Sequence, residues 1–203
     1  MQKEKEKTVT IEDTRKRFRD AMACLPAAVN IITTDGPGGR CGMTASAVCS
    51  VTDAPPTMLV CINQASYVHD ILHRNRSVCI NVLAAECQEV ARDFAGMTAC
   101  PMDERFARHA WTGGALSAPV LTDAIASLEG EIVDIKTVGS HSVMFAQIRH
   151  VALRSDGDGL IYFGRQFHRL TRPQAAAPWA PRRARGERGS LLIFDWPREC
   201  TYA

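Results

Sequence analysis

The chain is short of the features that usually announce a function. No apolar run reaches the roughly 20 residues that span a bilayer, and the first residues, Met1-Gln-Lys-Glu-Lys-Glu-Lys7, lack the apolar core of a secretion signal. A cytoplasmic protein with no membrane segment is therefore expected. Net charge is only +2, and the surplus of lysine and arginine sits at the two ends, Lys3 to Arg19 and Arg182 to Arg188. With aromatics at 6% and no basic stripe interleaved with them in the middle of the chain, nucleic-acid binding has no footing. There is no C-x-x-C pair among the eight cysteines. Cys24, Cys41, Cys49, Cys61, Cys79, Cys87 and Cys100 mostly fall within apolar patterns and read as buried, reduced thiols. P-loop, G-x-S-x-G and nucleophilic-cysteine signatures are missing. The glycines of Asp35-Gly-Pro-Gly-Gly39 lack G-x-G-x-x-G spacing and lead into a strand, which excludes a dinucleotide fingerprint there. His69 and His73 stand i, i+4 with no Glu between them and no third ligand, so they read as solvent-exposed and no metal is expected. Asp103 and Glu104 open a short helical pattern, where acids serve the helix dipole.

What is present centres on Cys41-Gly-Met-Thr-Ala-Ser-Ala-Val-Cys-Ser-Val-Thr52, which reads as one continuous strand. Alternation places Cys41, Met43, Ala45, Ala47, Cys49 and Val51 on an apolar face, and Gly42, Thr44, Ser46, Val48, Ser50 and Thr52 on the other. Small hydroxylated side chains allow close approach and both donate and accept hydrogen bonds. Such a face suits a flat, polar-edged ligand with a phosphate tail; it also describes an ordinary half-buried strand with a Ser/Thr-rich solvent side. Asp53-Ala-Pro-Pro56 ends the strand, and Thr57-Met-Leu-Val-Cys-Ile62 reads as a buried one. That run opens into Asn63-Gln-Ala-Ser66 and a helical pattern through Tyr67, Ile71 and Leu72, with Ser66 as N-cap. Free N–H groups and the helix dipole favour an anion there. With no lysine or arginine in the turn, a phosphate would rely on neutral donors.

The length suffices for one domain with a sizeable core. Residues 1–10 are expected to be disordered, and residues 11–170 to form the domain. Residues 171–203, rich in Pro, Ala and Arg without periodicity, read as a disordered tail in which only Ser190 to Trp196 has strand character. Inside the domain, Ile11 to Leu25 is an amphipathic helix with Phe18, Met22 and Leu25 on one face and Pro26 as its stop. Ala28 to Thr34 and Ser77 to Leu83 are strands, the second followed by a helix from Glu86 to Phe94. Ala95 to Pro119 is irregular apart from a helical turn at Met102 to Arg108. Two long strands, Ser127 to Val138 and Ser142 to Leu153, join at Gly139-Ser140-His141, and Leu160 to Gly164 is the final strand. Strands joined by tight turns, few helices and no βαβ alternation predict a mainly β fold built as an antiparallel barrel. His141, in its corner, can reach over a barrel-mouth pocket or be a plain turn residue. Tyr162, Phe163, Arg165, Phe167 and His168 can stack on nucleotide rings or simply finish the core.

Several segments in order carry a resemblance: Phe18-Arg-Asp-Ala-Met22, Ala28-Val-Asn-Ile-Ile-Thr-Thr34, Gly42-Met-Thr-Ala-Ser-Ala-Val-Cys-Ser-Val51, Asp53-Ala-Pro-Pro56, Cys61-Ile-Asn63, Asn81-Val-Leu83, Phe94-Ala-Gly96, Gly139-Ser-His141 and Leu160-Ile-Tyr-Phe163. The series resembles the short-chain flavin reductases, the small components of two-component flavin monooxygenases, over about residues 15 to 170. Phe94-Ala-Gly-Met-Thr98, Met102-Asp-Glu-Arg-Phe106 and Ser127-Leu-Glu-Gly-Glu131 are most similar to the branch that serves 4-hydroxyphenylacetate 3-hydroxylation. Thr33-Thr-Asp-Gly-Pro37 is shared with the branch that serves pyrimidine degradation.

The resemblance implies a split β-barrel with a Greek-key core and flanking helices, and a homodimer with flavin bound near its interface. It implies hydride transfer from NADH to FMN or FAD, the reduced flavin then diffusing to a separate oxygenase. By motif, Thr44, Ala45, Ser46, Ala47, Ser50 and Val51 would line the isoalloxazine ring, and Asn63, Ala65 and Ser66 would hold the ribityl-phosphate end. Asn81 and Phe94 to Gly96 would border the pocket. His141 would contact the nicotinamide as the catalytic-site residue, with Tyr162 and Arg165 closing over it. Flavin and nicotinamide supply the reaction between them, so no acid–base pair is required of the chain. The lack of a basic cluster for a 2′-phosphate favours NADH over NADPH. A non-catalytic flavin-binding protein would share the strand but need no nicotinamide site. The family ends soon after Phe167-His168, so the tail lies outside the resemblance.

Overall fold

A computed structural model describes residues 10–173. Residues 1–9 and 174–203, with the strand character at Ser190 to Trp196, lie outside the described residues. Thr10 belongs to the fold: its hydroxyl accepts from the Asp13 N–H at 3.1 Å while the Asp13 carboxylate accepts from the Thr10 N–H at 3.2 Å, a reciprocal cap on α1 (Ile11–Met22). There follow β1 (Ala27–Ala28), β2 (Asn30–Thr34), β3 (Cys41–Ala45), β4 (Val48–Asp53), β5 (Pro56–Asn63), α2 (Tyr67–Asn75) and β6 (Ser77–Leu83). A 3-10 turn at Ala85–Cys87 leads into α3 (Gln88–Phe94) and α4 (Met102–Ala107). The rest is strand: β7 (Trp111–Gly113), β8 (Pro119–Leu121), β9 (Ala124–Val138), β10 (His141–Leu153), β11 (Gly159–Phe163) and β12 (Gln166–Leu170).

The fold is mainly β with flanking helices. Seven strands form one antiparallel sheet in the order β3-β2-β6-β9-β10-β5-β4, with β1, β11 and β12 in a second sheet and β7 and β8 in a ribbon. The segment expected as one strand, Cys41 to Thr52, is broken at Ser46-Ala47, and its halves are the opposite edges of the large sheet. In a flat sheet seven strands wide those edges would stand about 29 Å apart. Ala45 and Val48 are three peptide units apart, at most about 11 Å. The sheet is therefore curled until its two edges meet at that corner. No β3–β4 ladder joins them, so the closed barrel expected from the strand pattern is not formed among the described residues. The corner is held by the Val48 N–H donating to the Ser46 carbonyl at 2.9 Å and the Cys61 N–H donating to the Ala47 carbonyl at 3.0 Å. With the break the expected alternation also fails: from Cys49 to Asp53 every residue of β4 is exposed, because an edge strand covers nothing.

Two core clusters form. Ile32, Ile62, Ile71, Leu72, Ile80 and Met144 fill the curl of the sheet under α2, while Ile31, Leu83, Val90, Phe94, Phe106 and Leu160 pack around α3 and α4; Met102 touches both. Of the described cysteines, Cys41, Cys79, Cys87 and Cys100 are buried as expected, whereas Cys24 and Cys49 are exposed, one past the end of α1 and the other on edge strand β4. Leu160 to Gly164 is not the last strand. Gly164 and Arg165, at φ 58° and 63°, make a tight left-handed turn into β12.

Asn81, expected beside a ligand, is instead wholly buried in mid-sheet. Its Nδ2 donates to the Ile31 carbonyl and to Thr33 Oγ1, both at 3.2 Å. Its Oδ1 accepts from the Leu121 N–H at 2.8 Å and the Ser127 hydroxyl at 3.1 Å. The amide is saturated and ties β8 to the sheet. Asn81→Ala strands the Leu121 N–H and the Ser127 hydroxyl and should cost about 2–3 kcal/mol, read as a lower midpoint of chemical denaturation. A variant of wild-type stability that loses ligand binding would return Asn81 to the pocket.

Candidate functional site

Beside the β3 edge lies a cleft of about 540 Å³, walled by four segments far apart in sequence. Strand β3 contributes Gly42, Met43 and Thr44, and the first turn of α2 contributes Ser66, Tyr67 and Val68. The end of α3 adds Phe94, Ala95 and Gly96, and α4 adds Met102 and Arg105. Gly42 is required by packing: a Cβ there would stand 2.8 Å from the Phe94 ring. Thr44 Oγ1 donates to the Ala91 carbonyl at 2.7 Å, which locks β3 to α3 and leaves the oxygen as an acceptor. The turn into α2 fixes itself, with Asn63 Oδ1 accepting from the Ala65 N–H at 3.0 Å and Ser66 Oγ accepting from the Val68 N–H at 3.4 Å. It thereby brings the positive end of a nine-residue helix to the cleft wall.

The connection from α3 to α4 hangs on Asp93. Its buried carboxylate accepts from Thr98 Oγ1 at 2.6 Å and Arg108 Nη1 at 3.4 Å, and its other oxygen lies 2.8 Å from His109 Nε2. Burial works to raise its pKa. The hydrogen bonds from Thr98 and His109, with the charges of His109 and Arg108, outweigh that and hold the carboxyl below the usual range. Half-buried Arg105 is the one charged residue on the cleft wall among the described residues, and its Nε donates to the Cys100 carbonyl at 2.8 Å. Neighbouring Cys41 is inert: burial pushes its thiol up to about 11, although a bond from the Gly42 N–H and the Arg105 charge work the other way. Among the described residues no group of three His, Cys, Asp or Glu is placed to hold a metal.

Of the residues singled out from sequence, Thr44, Ser66, Phe94 and Gly96 line the cleft. Ala45 is buried at the end of β3, Ser46 and Ala47 are exposed at the corner, and Ser50 and Val51 are exposed along β4. Asn63 and Ala65 are exposed in the turn before α2. His141 is the first residue of β10 rather than a loop residue; it stands opposite Asn63 in the ladder, with Nδ1 3.0 Å from Ser140 Oγ. Tyr162 and Arg165 do not join them. Tyr162 pairs with Ala27 and meets Phe167 edge-on at 5.2 Å, and Arg165 bonds Asp20 of α1 at 2.7 Å. Nor is His69 a free surface residue, since its Nε2 lies 3.0 Å from Ser142 Oγ and its Nδ1 3.0 Å from Asp70.

Met43, Tyr67, Met102 and Arg105 escaped the sequence reading. The signal for the last two was their spacing: Met102, Arg105 and Phe106 at i, i+3, i+4 form the inward face of α4. The α2 turn itself carries no lysine or arginine, as read from sequence, but Arg105 reaches the same cleft from α4.

The cleft thus joins a glycine-backed strand, a helix N-terminus and a cation on a mainly β protein. Residues 22–171 match the flavin reductase like domain, and the chain belongs to that family. It is 50% identical over 167 residues to the 4-hydroxyphenylacetate 3-monooxygenase reductase component of Pseudomonas aeruginosa, covering 82% of this chain and 98% of that protein. Over 165 residues it is 52% identical to the FMN reductase (NADH) RutF of Bradyrhizobium diazoefficiens, covering 79% and 89%. Its fold matches Streptomyces globisporus NADH:FAD oxidoreductase SgcE6, in complex with NAD and FAD fragments, at a TM-score of 0.74 and 27% identity over 83% of this chain and 98% of the other.

Asp93→Asn should lower stability at pH 7 by an amount on the order of 1–3 kcal/mol. A carboxyl whose folded pKa is depressed stabilises above its unfolded pKa, near 4, and loses that contribution as pH falls through the folded value. The gap between variant and wild type should therefore close below about pH 4 in thermal melts. A gap constant from pH 7 to pH 3 would contradict the ionic role.

Proposed function

We propose that the protein is an NADH-dependent flavin reductase that supplies reduced FMN or FAD to a separate oxygenase, of the kind that hydroxylates 4-hydroxyphenylacetate. The cleft carries this reading. Its volume suits a cofactor-sized ligand. Gly42 and the Phe94 ring give it a flat apolar wall, and Ser66 with the α2 N-terminus offers donors for a phosphate end. When bound, the flavin ring supplies the hydride acceptor and the nicotinamide the hydride. The chain has only to bind, orient and shield the two rings, which fits a cleft with no acid–base pair.

The same reading makes the curled sheet a split barrel with Greek-key connections, and makes the functional unit a homodimer. Support for the dimer comes from α1, none of whose side chains is buried, and from Phe18, Met22, Val51 and Val138, large apolar groups left in solvent. In a dimer, Ser46, Ala47, Ser50, Val51, Asn63, Ala65 and His141 extend the site beyond the cleft, with His141 on the nicotinamide side. Free thiols at all described cysteines suit a reducing, cytoplasmic setting. Among the described residues no helix is long and apolar enough to cross a membrane. A second reading, supply to a pyrimidine-degrading oxygenase, is favoured by Thr33-Thr-Asp-Gly-Pro37 and by the 52% identity to the NADH-dependent FMN reductase.

Purified protein given NADH and either flavin should oxidise NADH only when flavin is present; a rate no higher than buffer with saturating flavin would overturn the enzyme reading. Transcript induction by 4-hydroxyphenylacetate rather than by a pyrimidine separates the two branches. His141→Ala should lower kcat/KM for NADH about five- to thirty-fold, the loss of one good hydrogen bond, while flavin affinity stays put. Unchanged NADH kinetics would make His141 an ordinary strand-end residue.

A further inference from the structure

We propose that His69 is a positioning residue for the reaction: through Ser142 it pins the His141 corner that meets the nicotinamide. The proposal rests on the flavin-reductase reading and deepens it.

His69 stands in the first turn of α2 with its side chain only 15% exposed, yet it is not among the residues that wall the cleft. Both ring nitrogens are engaged: Nδ1 lies 3.0 Å from Asp70 Oδ1 and Nε2 lies 3.0 Å from Ser142 Oγ. Gln64 sets the direction of these bonds. Its side chain faces three oxygens, Thr137 Oγ1 and Ser142 Oγ at 3.3 Å and the His141 carbonyl at 3.5 Å. A carbonyl can only accept, so the nitrogen of the Gln64 amide is the atom turned toward all three. The Ser142 oxygen accepts from that nitrogen and gives its own hydrogen to His69 Nε2. An imidazole that accepts at Nε2 carries its hydrogen on Nδ1, where it meets the Asp70 carboxylate. Donation therefore runs from Gln64 to Ser142 to His69 to Asp70, and each member has its partner.

Asp, His and Ser in that order also make a hydrolase triad, but a nucleophile has to be reached by its substrate. Ser142 is 2% exposed and shares its strand face with the core residues Met144 and Ala146. The chain of bonds is a strut. What it holds is the end of β10. His141 closes the ladder with β5, opposite Asn63, and Gly139 at φ 57° turns the chain just before it. Ends of ladders open first unless something ties them. Alternation puts His141 and Ser142 on opposite faces of the strand, so His69 acts on His141 through the backbone between them. Helix α2 does not need the strut, since Val68, Ile71 and Leu72 anchor it in the core. Removing the imidazole thus loosens the His141 corner and leaves Ser66 and the cleft in place.

The test is steady-state kinetics with FMN on wild type, His69→Ala, His69→Gln, His141→Ala and the double variant His69→Ala/His141→Ala. Hydrogen exchange of the free proteins runs alongside. His69→Ala should lower kcat/KM for NADH about 3- to 10-fold, the scale of one hydrogen bond, and leave KM for FMN within about twofold. His69→Gln, which keeps an acceptor near the Nε2 position, should recover part of the loss. In the His141→Ala background the change at His69 should add nothing, because the residue it positions is gone. Amides from Val138 to Ser142 should exchange faster in His69→Ala, while those from Ile71 to Asn75 match wild type. Equal damage to FMN and NADH, an additive double variant, or NADH kinetics unmoved by either single alanine change would overturn the assignment. If wild type oxidises NADH with neither FMN nor FAD, the flavin-reductase reading itself falls. If it reduces flavin normally and only the effects of His69 are absent, the positioning role alone falls.

Discussion

Ser46 and Ala47 carry the chain from one edge of a seven-stranded sheet to the other, and no sheet of that width can permit this without curling. Curling brings the β3 edge, which would otherwise stand bare and ready to pair with another chain, against the helices that follow β5 and β6. Thr44 bonds α3 through the Ala91 carbonyl, and Gly42 lets the Phe94 ring lie directly on the strand. The space left between β3, the start of α2 and the end of α3 is the cleft. A geometric requirement of two residues at a corner thus decides where a ligand can sit.

Around the cleft the chain concentrates its scarce resources. Aromatics are only 6% of the sequence, yet Phe94, Phe106 and Trp111 form one cluster with ring separations of 5.1 to 5.5 Å behind the cleft wall. Contacts of that geometry contribute about 0.5–1.5 kcal/mol each beyond their buried area. Met102 joins this cluster's core to the core inside the sheet, so α4 is packed from two directions. The buried Asp93 carboxylate, whose Thr98, His109 and Arg108 partners offset the cost of its burial, fixes the segment between. Rigid support of this kind lets the open cleft keep its shape.

Much of the fold was legible in the residues. The apolar runs of β2, β5 and β6, the length of β9 and β10, and the Ser66 cap are all local signals, and local signals survive folding. The break at Ser46-Ala47 was not legible, because Ala and Ser are small on both faces and a two-residue pause leaves period-2 alternation undisturbed. Strands β7 and β8 are three residues each, too short to show a period. Asn81 was set beside the pocket by the family resemblance alone. One of its partners in the fold, the Leu121 N–H of β8, belongs to one of those unreadable strands. Thr44, Ser66, Phe94 and Gly96, grouped through the family resemblance, come together on one cleft, to which tertiary structure also carries Arg105 of α4.

Backbone hydrogen exchange with and without FMN asks most directly whether this cleft is where the flavin binds. Amides at Gly42 to Ala45, at the start of α2 from Tyr67, and at Ala95 to Met97 should slow on adding FMN, while the β11–β12 hairpin around Tyr162 and Arg165 stays unchanged. Protection confined to that hairpin, with β3 and α2 exchanging as in the free protein, would place the flavin elsewhere and contradict the site described.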